Sequence, residues 1–433
     1  MDTSRPIRLV TVAPGHFHAA LVQKHAAPGV HRRVHVYAPL DADLVAHVAR
    51  VAAFNGRAEN PTAWELDVRA GADWRERFLR EQPGNTVVLS GRNRPKVGLI
   101  RAAVALNLHV IADKPWVIDA ADLPELDAAL AEADDREVLV WDVMTERHEV
   151  ANRLLRALTR EPAVFGDWLG GSAMHPALTL TSTHYLNKTV DGRPLRRPWW
   201  WFDPTIAGEG LADVGTHLAD LALWLVAPDE PVAPGADAEV YAADRWPLVL
   251  TREQFAEVTG LPEVPPEFAP RLAGDLLYYA GNHTAWLGVR GIHVRLTTKW
   301  EYDSPGGDTH VAVARGTDAV AEVRQQPGSP PDVFVRASEA SHADLLAHLT
   351  AAVGRWQAEF PGLAVVDGGS EVKLAIPAAL RTGHEEHFAA VMAEYGRAFA
   401  APRSVPAWER VNARTKYHLT TRAVELARAR RPF

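Results

Sequence analysis

The stretch Leu9–Leu21, LVTVAPGHFHAAL, decides how the first part of this chain folds. Its first four residues are apolar or β-branched and predict a buried strand. Pro14 and Gly15 then predict a tight turn, and His16–Lys24 a helix. A strand, a tight turn and a helix N-terminus form the geometry in which backbone N–H groups and the helix dipole hold a pyrophosphate. The stretch therefore predicts the opening unit of a nucleotide-binding sheet.

Strands and helices continue to alternate outward from this stretch to about residue 145. Further strands are predicted at Val34–Tyr37, Thr86–Ser90, His109–Ala112 and Glu137–Val143, and further helices at Ala42–Phe54, Arg94–Leu106 and Leu123–Ala133. Such alternation implies right-handed crossovers and a parallel sheet covered on both faces. Residues 1–145 are therefore predicted to form a dinucleotide-binding Rossmann domain with a doubly wound parallel sheet.

Beyond residue 145 the pattern changes to alternation of apolar and polar residues with period two. Antiparallel strands are predicted at His283–Val289, Ile292–Trp300, Thr309–Ala314 and Ala319–Gln325, and helices at Glu149–Thr159, Gly210–Leu225, Glu385–Phe399 and Ala407–Arg428. One-sided burial of this kind is typical of antiparallel sheets. Residues 146–433 are predicted to form an α+β domain for substrate binding and oligomerisation, with a large, mainly antiparallel sheet.

Composition and charge exclude several classes of function. The chain has 54 acidic and 46 basic residues, a net charge of −8 and no cysteine. A dispersed negative balance argues against nucleic acid and anionic membranes as partners. The absence of cysteine excludes disulfides, zinc–cysteine sites and thiol catalysis. No signal segment precedes the first strand, so a cytoplasmic location is expected.

The turn after the first strand keeps only part of the dinucleotide fingerprint. With Gly15 as its second glycine, the first and third positions are Ala13 and His18. The second predicted strand carries neither an acidic nor a basic residue at its tip. Asp41 lies slightly beyond it, where the carboxylate could bind a ribose or cap the following helix. NAD is the expected cofactor, with NADP as the alternative.

Lys114 follows the predicted strand His109–Ala112, at the carboxyl edge where doubly wound sheets bind ligands. A lysine beside a cationic nicotinamide can exchange a proton with a substrate hydroxyl. The alternative is a surface lysine at a strand end. Asp213 and His217 are four residues apart and share one face of a predicted helix. A histidine beside a carboxylate suits acid–base chemistry during hydride transfer.

Together these segments resemble the glucose–fructose oxidoreductase, inositol dehydrogenase and rhizopine-catabolism family (Gfo/Idh/MocA). The Glu-Lys-Pro motif of that family appears as Asp113-Lys114-Pro115, and its glycine-rich turn followed by Leu-x-Asp-x-Gly-x-His appears as Gly208–His217. Ser90–Pro95 resembles the loop that carries an asparagine, here Asn93, near the nicotinamide. The resemblance extends to about Leu225. The later segments Gly307–His310 and Gly383–His387 point to a subgroup with a distinctive C-terminal half.

The resemblance implies roles for particular residues. Lys114 would position a substrate hydroxyl and relay its proton, His217 would be the acid–base group, and Asp213 would orient the substrate or the histidine. The implied cofactor-binding residues are Ala13, Gly15, His16, Phe17, His18, Asp41, Ser90, Asn93, Asp113 and Lys114. The resemblance also implies a homodimer or homotetramer.

Substrate contacts are expected from aromatic and polar side chains of the second domain. Four successive aromatics, Trp199–Phe202, either line a sugar-binding cleft or pack a domain interface. The expected substrate-binding residues are Arg147, His184, Tyr185, Trp200, Trp201, His310 and His384. The segment His384–His387, HEEH, matches no zinc-protease pattern, so no metal is expected.

The predicted reaction is reversible hydride transfer between a nicotinamide and a secondary hydroxyl carbon of a sugar, glycoside or cyclitol. One alternative is an NAD-dependent glycosidase that oxidises its substrate transiently and cleaves it by elimination. The other alternative is a sugar- or nucleotide-sensing protein without turnover, for which the replaced glycines argue.

Overall fold

The computed structural model describes residues 6–190, 193–304 and 306–431. By their contacts, these residues form two compact units. The first unit contains the chain up to Thr145 together with Pro198–Gly208 and His384–Tyr417, and the second contains Glu146–Arg197, Glu209–Gly383 and the chain from His418. No local sequence pattern assigned the two later segments to the first unit.

The strands are distributed along the whole described chain. In chain order they are β1 (Leu9–Val12), β2 (Arg33–Ala38), β3 (Glu65–Ala70), β4 (Thr86–Leu89), β5 (His109–Ala112), β6 (Val140–Asp142), β7 (Leu178–Asn187), β8 (Thr189–Val190), β9 (Arg193–Pro194), β10 (Ala238–Thr251), β11 (Leu272–Ala273), β12 (Leu276–Val289), β13 (Ile292–Asp303), β14 (Thr309–Arg315), β15 (Ala319–Arg324), β16 (Asp332–Ala337), β17 (Ala364–Asp367) and β18 (Val372–Ala375).

The α-helices alternate with the strands in the N-terminal part and end the chain as a pair. In chain order they are α1 (His18–Leu21), α2 (Ala42–Gly56), α3 (Trp74–Glu81), α4 (Lys96–Ala105), α5 (Leu123–Asp135), α6 (Val150–Thr159), α7 (Pro162–Phe165), α8 (Gly210–Asp213), α9 (Gly215–Val226), α10 (Arg252–Thr259), α11 (His342–Arg355), α12 (His384–Ala400) and α13 (Ala407–Arg430).

The first unit is built on a parallel sheet with the strand order β3-β2-β1-β4-β5-β6 among the described residues. This is the order of a dinucleotide-binding doubly wound sheet, and it confirms the predicted Rossmann fold. The order reverses between β1 and β4, and ligands bind at such a switch point beyond the carboxyl ends of the strands.

Two apolar layers cover the faces of this sheet. On one face, Val10 and Val12 of β1 pack in a core with α4 and α5, which Tyr417 of α13 joins. On the other face, Leu9 lies in a core with α1, α2 and buried residues of α12 that include Phe388, Met392 and Tyr395. Burial on both faces explains why the central strands read as continuous apolar runs. The C-terminal helices thus complete the core that the N-terminal strands begin.

The second unit contains the large sheet, in the order β10-β12-β13-β7-β14-β15-β16-β18-β17, with β11 pairing β12. The strands β13 and β7 are parallel, and the other pairs in the described part of this sheet are antiparallel. This confirms the predicted α+β domain with a mainly antiparallel sheet.

Several elements differ from the sequence predictions. The helix predicted at His16–Lys24 is only the four-residue α1, and the helix predicted at Gly210–Leu225 is interrupted at Val214. Neither β3 nor α3 was predicted. The reason is that β3 is a partly exposed edge strand, and that the polar helix α3 buries little besides Phe78.

Helix α9 is buried along nearly its whole length, from Gly215 to Leu225. Burial around the whole circumference indicates a core helix. Among the described residues, no helix combines the length and the hydropathy needed to cross a membrane.

Candidate active site

The turn after β1 packs tightly against the loop after β4. The backbone N–H groups of Gly15 and His16 both donate to the carbonyl oxygen of Ser90, at 3.0 and 3.1 Å. A Cβ atom on Gly91 would lie 2.2 Å from the carbonyl oxygen of Ala13, so only glycine fits there. The Ser90 carbonyl holds these two amides, and α1 begins only at His18. A phosphate-binding helix N-terminus starting at His16 is therefore not formed.

A cavity of about 350 Å³ opens beside this turn, at the carboxyl edge of the parallel sheet. Its apolar wall includes Val12, Pro39 and Trp74, and its charged lining is Asp41, Asp43, Arg75, Arg92 and Lys96. The position is the one where doubly wound folds bind nucleotides. Asp43, Arg75 and Arg92 were not predicted from the sequence, because they converge from the first turn of α2, the first turn of α3 and the loop after β4.

Asp41 caps α2, which was one of its two expected roles. Its side chain accepts a hydrogen bond of 3.0 Å from the backbone N–H of Leu44, while the residue also lines the cavity. Capping satisfies one of the free N–H groups at the helix start. Because Asp41 also lines the cavity, its second expected role, a contact with a ribose, stays a prediction.

The aromatic segment Trp199–Phe202 forms a short 3-10 turn in the first unit, and Trp200, Trp201 and Phe202 are buried. The indole Nε1 of Trp200 donates to Asp43 Oδ2 at 2.8 Å. Burial raises the pKa of Asp43, and this hydrogen bond opposes the rise. Trp200 and Trp201 are thus packed within this unit, and their expected role in sugar binding stays a prediction. A helical turn can bury adjacent side chains that a strand would alternate between faces.

Lys114 lies two residues beyond the end of β5, after Asp113, as predicted. It is 8% exposed. The peptide bond between Lys114 and Pro115 is cis. Beside it lies Lys96, which was not predicted from the sequence. Lys96 Nζ donates to Asn93 Oδ1 at 2.7 Å and to the carbonyl oxygens of Asp113 and Pro115 at 2.7 and 2.9 Å. Lys96 therefore holds the backbone on both sides of Lys114.

Asn93 uses both ends of its amide within the protein. Its Nδ2 donates to the carbonyl oxygen of Ala207 at 2.7 Å, and its Oδ1 accepts from Lys96. The side chain is 9% exposed. Both contacts lie within the protein, and the role of Asn93 near the nicotinamide stays a prediction.

Asp113 is the centre of a buried polar cluster. Its Oδ2 accepts from Ser90 Oγ at 2.9 Å and lies 3.0 Å from His18 Nδ1 and 3.3 Å from His16 Nδ1. Burial raises the pKa of Asp113, but the charge of His18 and the side-chain contacts with His16 and His18 outweigh it and hold the pKa well below its usual range. Burial, then the charge of His18, lowers the pKa of His16 to about 3.

His384 joins this cluster from the start of α12. Its Nε2 lies 3.3 Å from His18 Nε2, and the two rings are 5.3 Å apart. Phe17 packs edge-on against His18, at 4.4 Å between ring centroids. The cluster thus joins residues that were predicted for different roles, cofactor binding and substrate binding, within the first unit.

In the second unit, Asp213 ends α8 and His217 lies in the first turn of α9. A Cβ atom on Gly210 would lie 1.8 Å from the carbonyl oxygen of Gly281, so α8 starts with its backbone against β12. His217 is 8% exposed. One turn beyond His217, Asp220 pairs with both Nε and Nη2 of Arg147 at 2.6 and 2.7 Å. The guanidinium of Arg147, expected to contact substrate, is thus paired with α9.

Three residues predicted to bind substrate lie together on β7 and β14, which pair side by side. His184 Nδ1 lies 2.9 Å from Asp308 Oδ2, Lys188 pairs with the same oxygen, and the backbone N–H of Tyr185 donates to Asp308 Oδ1 at 3.0 Å. The nearby His310 has its pKa lowered to about 4 by burial and by the charge of His184. The central role of Asp308 was not predicted, although the segment Gly307–His310 stood out in the sequence.

Two cations of the second unit, Lys188 and Arg197, interact electrostatically with Asp308. Burial lowers the pKa values of Lys188 and Arg197, while the charges of Asp308 and Asp213 oppose this shift. The guanidinium of Arg197 lies 4.8 Å from the centre of the Trp300 ring. The charge of Asp213 therefore acts on the buried Arg197 and on the partly buried Lys188, an arrangement that suits the recognition of hydroxyl groups.

Comparison with known proteins identifies the family. Residues 154–428 match a family model described as "Putative oxidoreductase C terminal domain". A crystal structure described as a "putative oxidoreductase" from Parabacteroides merdae is 37% identical, with a TM-score of 0.95, and the match covers 99% of this chain and 98% of that one. No curated protein matches the sequence.

More distant structures share the fold. A 3-ketoreductase from Actinomadura kijaniata, crystallised with NADP and TDP-benzene, is 15% identical with a TM-score of 0.57, and the match covers 98% of each chain. A levoglucosan dehydrogenase in complex with NADH and levoglucosan is 14% identical with a TM-score of 0.62, again over 98% of each chain. The domain match over residues 154–428 and the 37% identical structure show that this chain belongs to the oxidoreductase family defined by that C-terminal domain.

Proposed function

We propose that this oxidoreductase uses NAD, or NADP as the alternative, to transfer a hydride between the nicotinamide and a secondary hydroxyl carbon of a sugar, glycoside or cyclitol. The observation that carries the proposal is the cavity at the carboxyl edge of the β3-β2-β1-β4-β5-β6 sheet, on the same edge at which β5 leads into Lys114. The two distant relatives that were crystallised with NADP or NADH support the choice of cofactor.

The residues of the cavity fit a dinucleotide. Its volume of about 350 Å³ lies within the usual range for small-molecule sites. Its apolar wall suits an adenine ring, and Asp41 suits a ribose hydroxyl. Because the amides of Gly15 and His16 donate to Ser90, we assign the phosphates to Arg75 and Arg92, whose guanidinium groups bind phosphate well.

The chain supplies the positioning and the proton transfer. When bound, the nicotinamide accepts or supplies the hydride. Lys114, fixed by the contacts of Lys96 with its neighbours, would hold the substrate hydroxyl and relay its proton. His217 would act as the acid–base group, with Asp213 orienting it or the substrate. The cations around Asp308 would bind further hydroxyls.

Dinucleotide binding and product analysis test this function. We expect the purified protein to enhance the fluorescence of NADH or NADPH on titration. We also expect it to reduce NAD or NADP when supplied with one member of a panel of pyranoses, glycosides and inositols. Failure to bind either dinucleotide would contradict the proposal and favour a sensor. Release of an aglycone without net formation of reduced cofactor would indicate the elimination reaction instead.

The contact between Gly91 and Ala13 provides a first prediction. In Gly91→Ala, the added Cβ forces the β1 turn away from the β4 loop, because its neighbour at 2.2 Å is a backbone oxygen. We expect the free energy of unfolding to fall by about 1–3 kcal/mol and the dinucleotide affinity to fall by more than about tenfold. Urea unfolding and NADH fluorescence titration measure the two effects.

Gly98→Ala is the matched control for this substitution. Gly98 lies within α4, and the nearest atom to its added Cβ is 3.8 Å away. Alanine favours a helix over glycine by up to about 1 kcal/mol, so this variant should be as stable as the parent or more stable. Unchanged dinucleotide affinity in Gly91→Ala would show that the turn does not shape the cavity.

A further inference from the structure

Three ligand-type side chains converge at the carboxyl edge of the parallel sheet. They are His16 and His18, from the segment after β1, and Asp113, which follows β5. Among residues 6–190, 193–304 and 306–431, this is the cluster of three such residues whose ligand atoms all lie within 4.8 Å of one another. The convergence depends on β1 and β5 ending at the same edge, so it has no counterpart in local sequence.

The distances within the cluster fit a metal site as well as they fit hydrogen bonds. Asp113 Oδ2 is 3.0 Å from His18 Nδ1 and 3.3 Å from His16 Nδ1. In a tetrahedral site with bonds of about 2.0–2.1 Å, neighbouring ligand atoms lie roughly 3.3 Å apart. The two pairs that include Asp113 Oδ2 are therefore close to the spacing that a bound ion would impose.

Two buried atoms of the cluster lack hydrogen bonds among the described residues. They are His16 Nδ1, shielded from solvent although its ring is 19% exposed, and Asp113 Oδ1. Buried polar atoms in proteins are nearly always paired, so each unpaired one calls for an explanation. Both atoms belong to side chains that would bind an ion, and coordination through His16 Nδ1 would satisfy that nitrogen.

A second set of residues could orient these ligands. His18 Nε2 faces His384 Nε2 at 3.3 Å, so with Nδ1 on a metal the Nε2 hydrogen can donate to His384. Ser90 Oγ donates to Asp113 Oδ2 at 2.9 Å. Metal-binding histidines usually donate their other ring N–H to a fixed acceptor, and metal-binding carboxylates are themselves hydrogen-bonded.

We propose that His16, His18 and Asp113 form a binding site for a divalent first-row transition metal ion, with Ser90 and His384 as positioning residues. Two imidazoles and one carboxylate suit zinc, cobalt, nickel or ferrous iron, whereas magnesium and calcium prefer oxygen ligands alone. Three protein ligands leave a coordination position for water or a substrate oxygen. The site departs from the sequence expectation of no metal, which considered only the segment His384–His387. It lies beside the cavity, which Ser90 also lines.

Metal titration of the chelator-treated full chain tests the proposal. We expect one equivalent of Zn²⁺ to bind by calorimetry, and Co²⁺ to give the visible absorption of a four- or five-coordinate ion. His18→Ala and Asp113→Asn should each weaken Zn²⁺ binding by more than about 100-fold. Ser90→Ala and His384→Gln should weaken it by about 10- to 100-fold.

His342→Ala is the control, because His342 pairs with Asp367 at 2.8 Å on an exposed surface. This variant should bind Zn²⁺ like the parent. Circular dichroism of each metal-free variant establishes that it is folded. Absence of stoichiometric binding, or equal binding in His18→Ala and the parent, would overturn the proposal. NADH titration without metal tests the dinucleotide site separately, so the failure of one proposal is distinguishable from the failure of the other.

Discussion

Replacing Lys114 by methionine is expected to lower turnover by about 10²- to 10⁴-fold while leaving the dinucleotide affinity within a few-fold of the parent. A positioned proton-transfer group contributes a factor of this size. Methionine keeps much of the lysine stem, which is 8% exposed, and removes the ammonium group. The measurement is steady-state turnover of the substrate found in the hydroxyl panel, together with NADH fluorescence titration.

Lys299→Ala is the matched control, since this lysine lies in β13 with an exposed side chain. It should retain parental turnover and affinity. Turnover of Lys114→Met at the parental rate would remove Lys114 from the proposed mechanism. A joint loss of turnover and dinucleotide affinity would instead show that Lys114 mainly shapes the cofactor site.

The largest effect on stability is expected at Glu209, which precedes α8. Its Oε1 accepts from Arg245 Nη1 at 2.6 Å and from Arg428 Nε at 2.7 Å, and its Oε2 lies 2.8 Å from His283 Nε2. The side chain is 2% exposed. Glu209→Gln should lower the free energy of unfolding by about 3–5 kcal/mol, because it leaves the buried Arg245 without its counter-ion. Urea unfolding at neutral pH measures this loss.

Glu230→Gln is the control for this substitution. Glu230 pairs with Arg290 at the surface, and its side chain is 58% exposed. Exposed ion pairs contribute about 0–1 kcal/mol, so this variant should unfold nearly like the parent. Equal, small losses in the two variants would contradict the assignment of Glu209 as a buried counter-ion.

The same residue predicts a dependence of stability on pH. Burial raises the pKa of Glu209, but the hydrogen bond and charge of His283 and the charge of Arg428 outweigh it and lower the pKa from 4.5 to about 2. A carboxyl whose pKa is lowered on folding stabilises the protein above its unfolded pKa, and this contribution is lost as the pH falls toward the folded pKa. The parent should therefore lose about 3 kcal/mol more than Glu209→Gln between pH 5 and pH 2. Parallel losses in the two proteins would contradict this origin.

The sequence predicted the elements whose periodicity is strong and local. The apolar runs of β1, β4 and β5 are buried on both faces, so their hydrophobicity alone identified them. The edge strand β3 and the polar helix α3 contribute few buried side chains and left too weak a pattern. Lys114, at the end of β5, was predicted because a strand end is itself a local feature.

Contacts between distant segments required the tertiary structure. Lys96 looks like an ordinary first residue of α4, and its role follows from carbonyl oxygens of the segment after β5 that only the fold brings near. Asp308 likewise gains its role because β14 pairs with β7, which carries His184.

For the turn LVTVAPGHFHAAL, the sequence by itself determined a buried strand, a sharp turn and a place at the nucleotide-binding edge of a parallel sheet. Only the tertiary structure decided where its polar groups are directed. The Ser90 carbonyl takes the amides of Gly15 and His16, and Asp113 draws in the rings of His16 and His18. Hydrophobic periodicity in the sequence indicates which side chains are buried. The hydrogen-bond partner of a buried polar group depends instead on which strands end next to each other in the sheet.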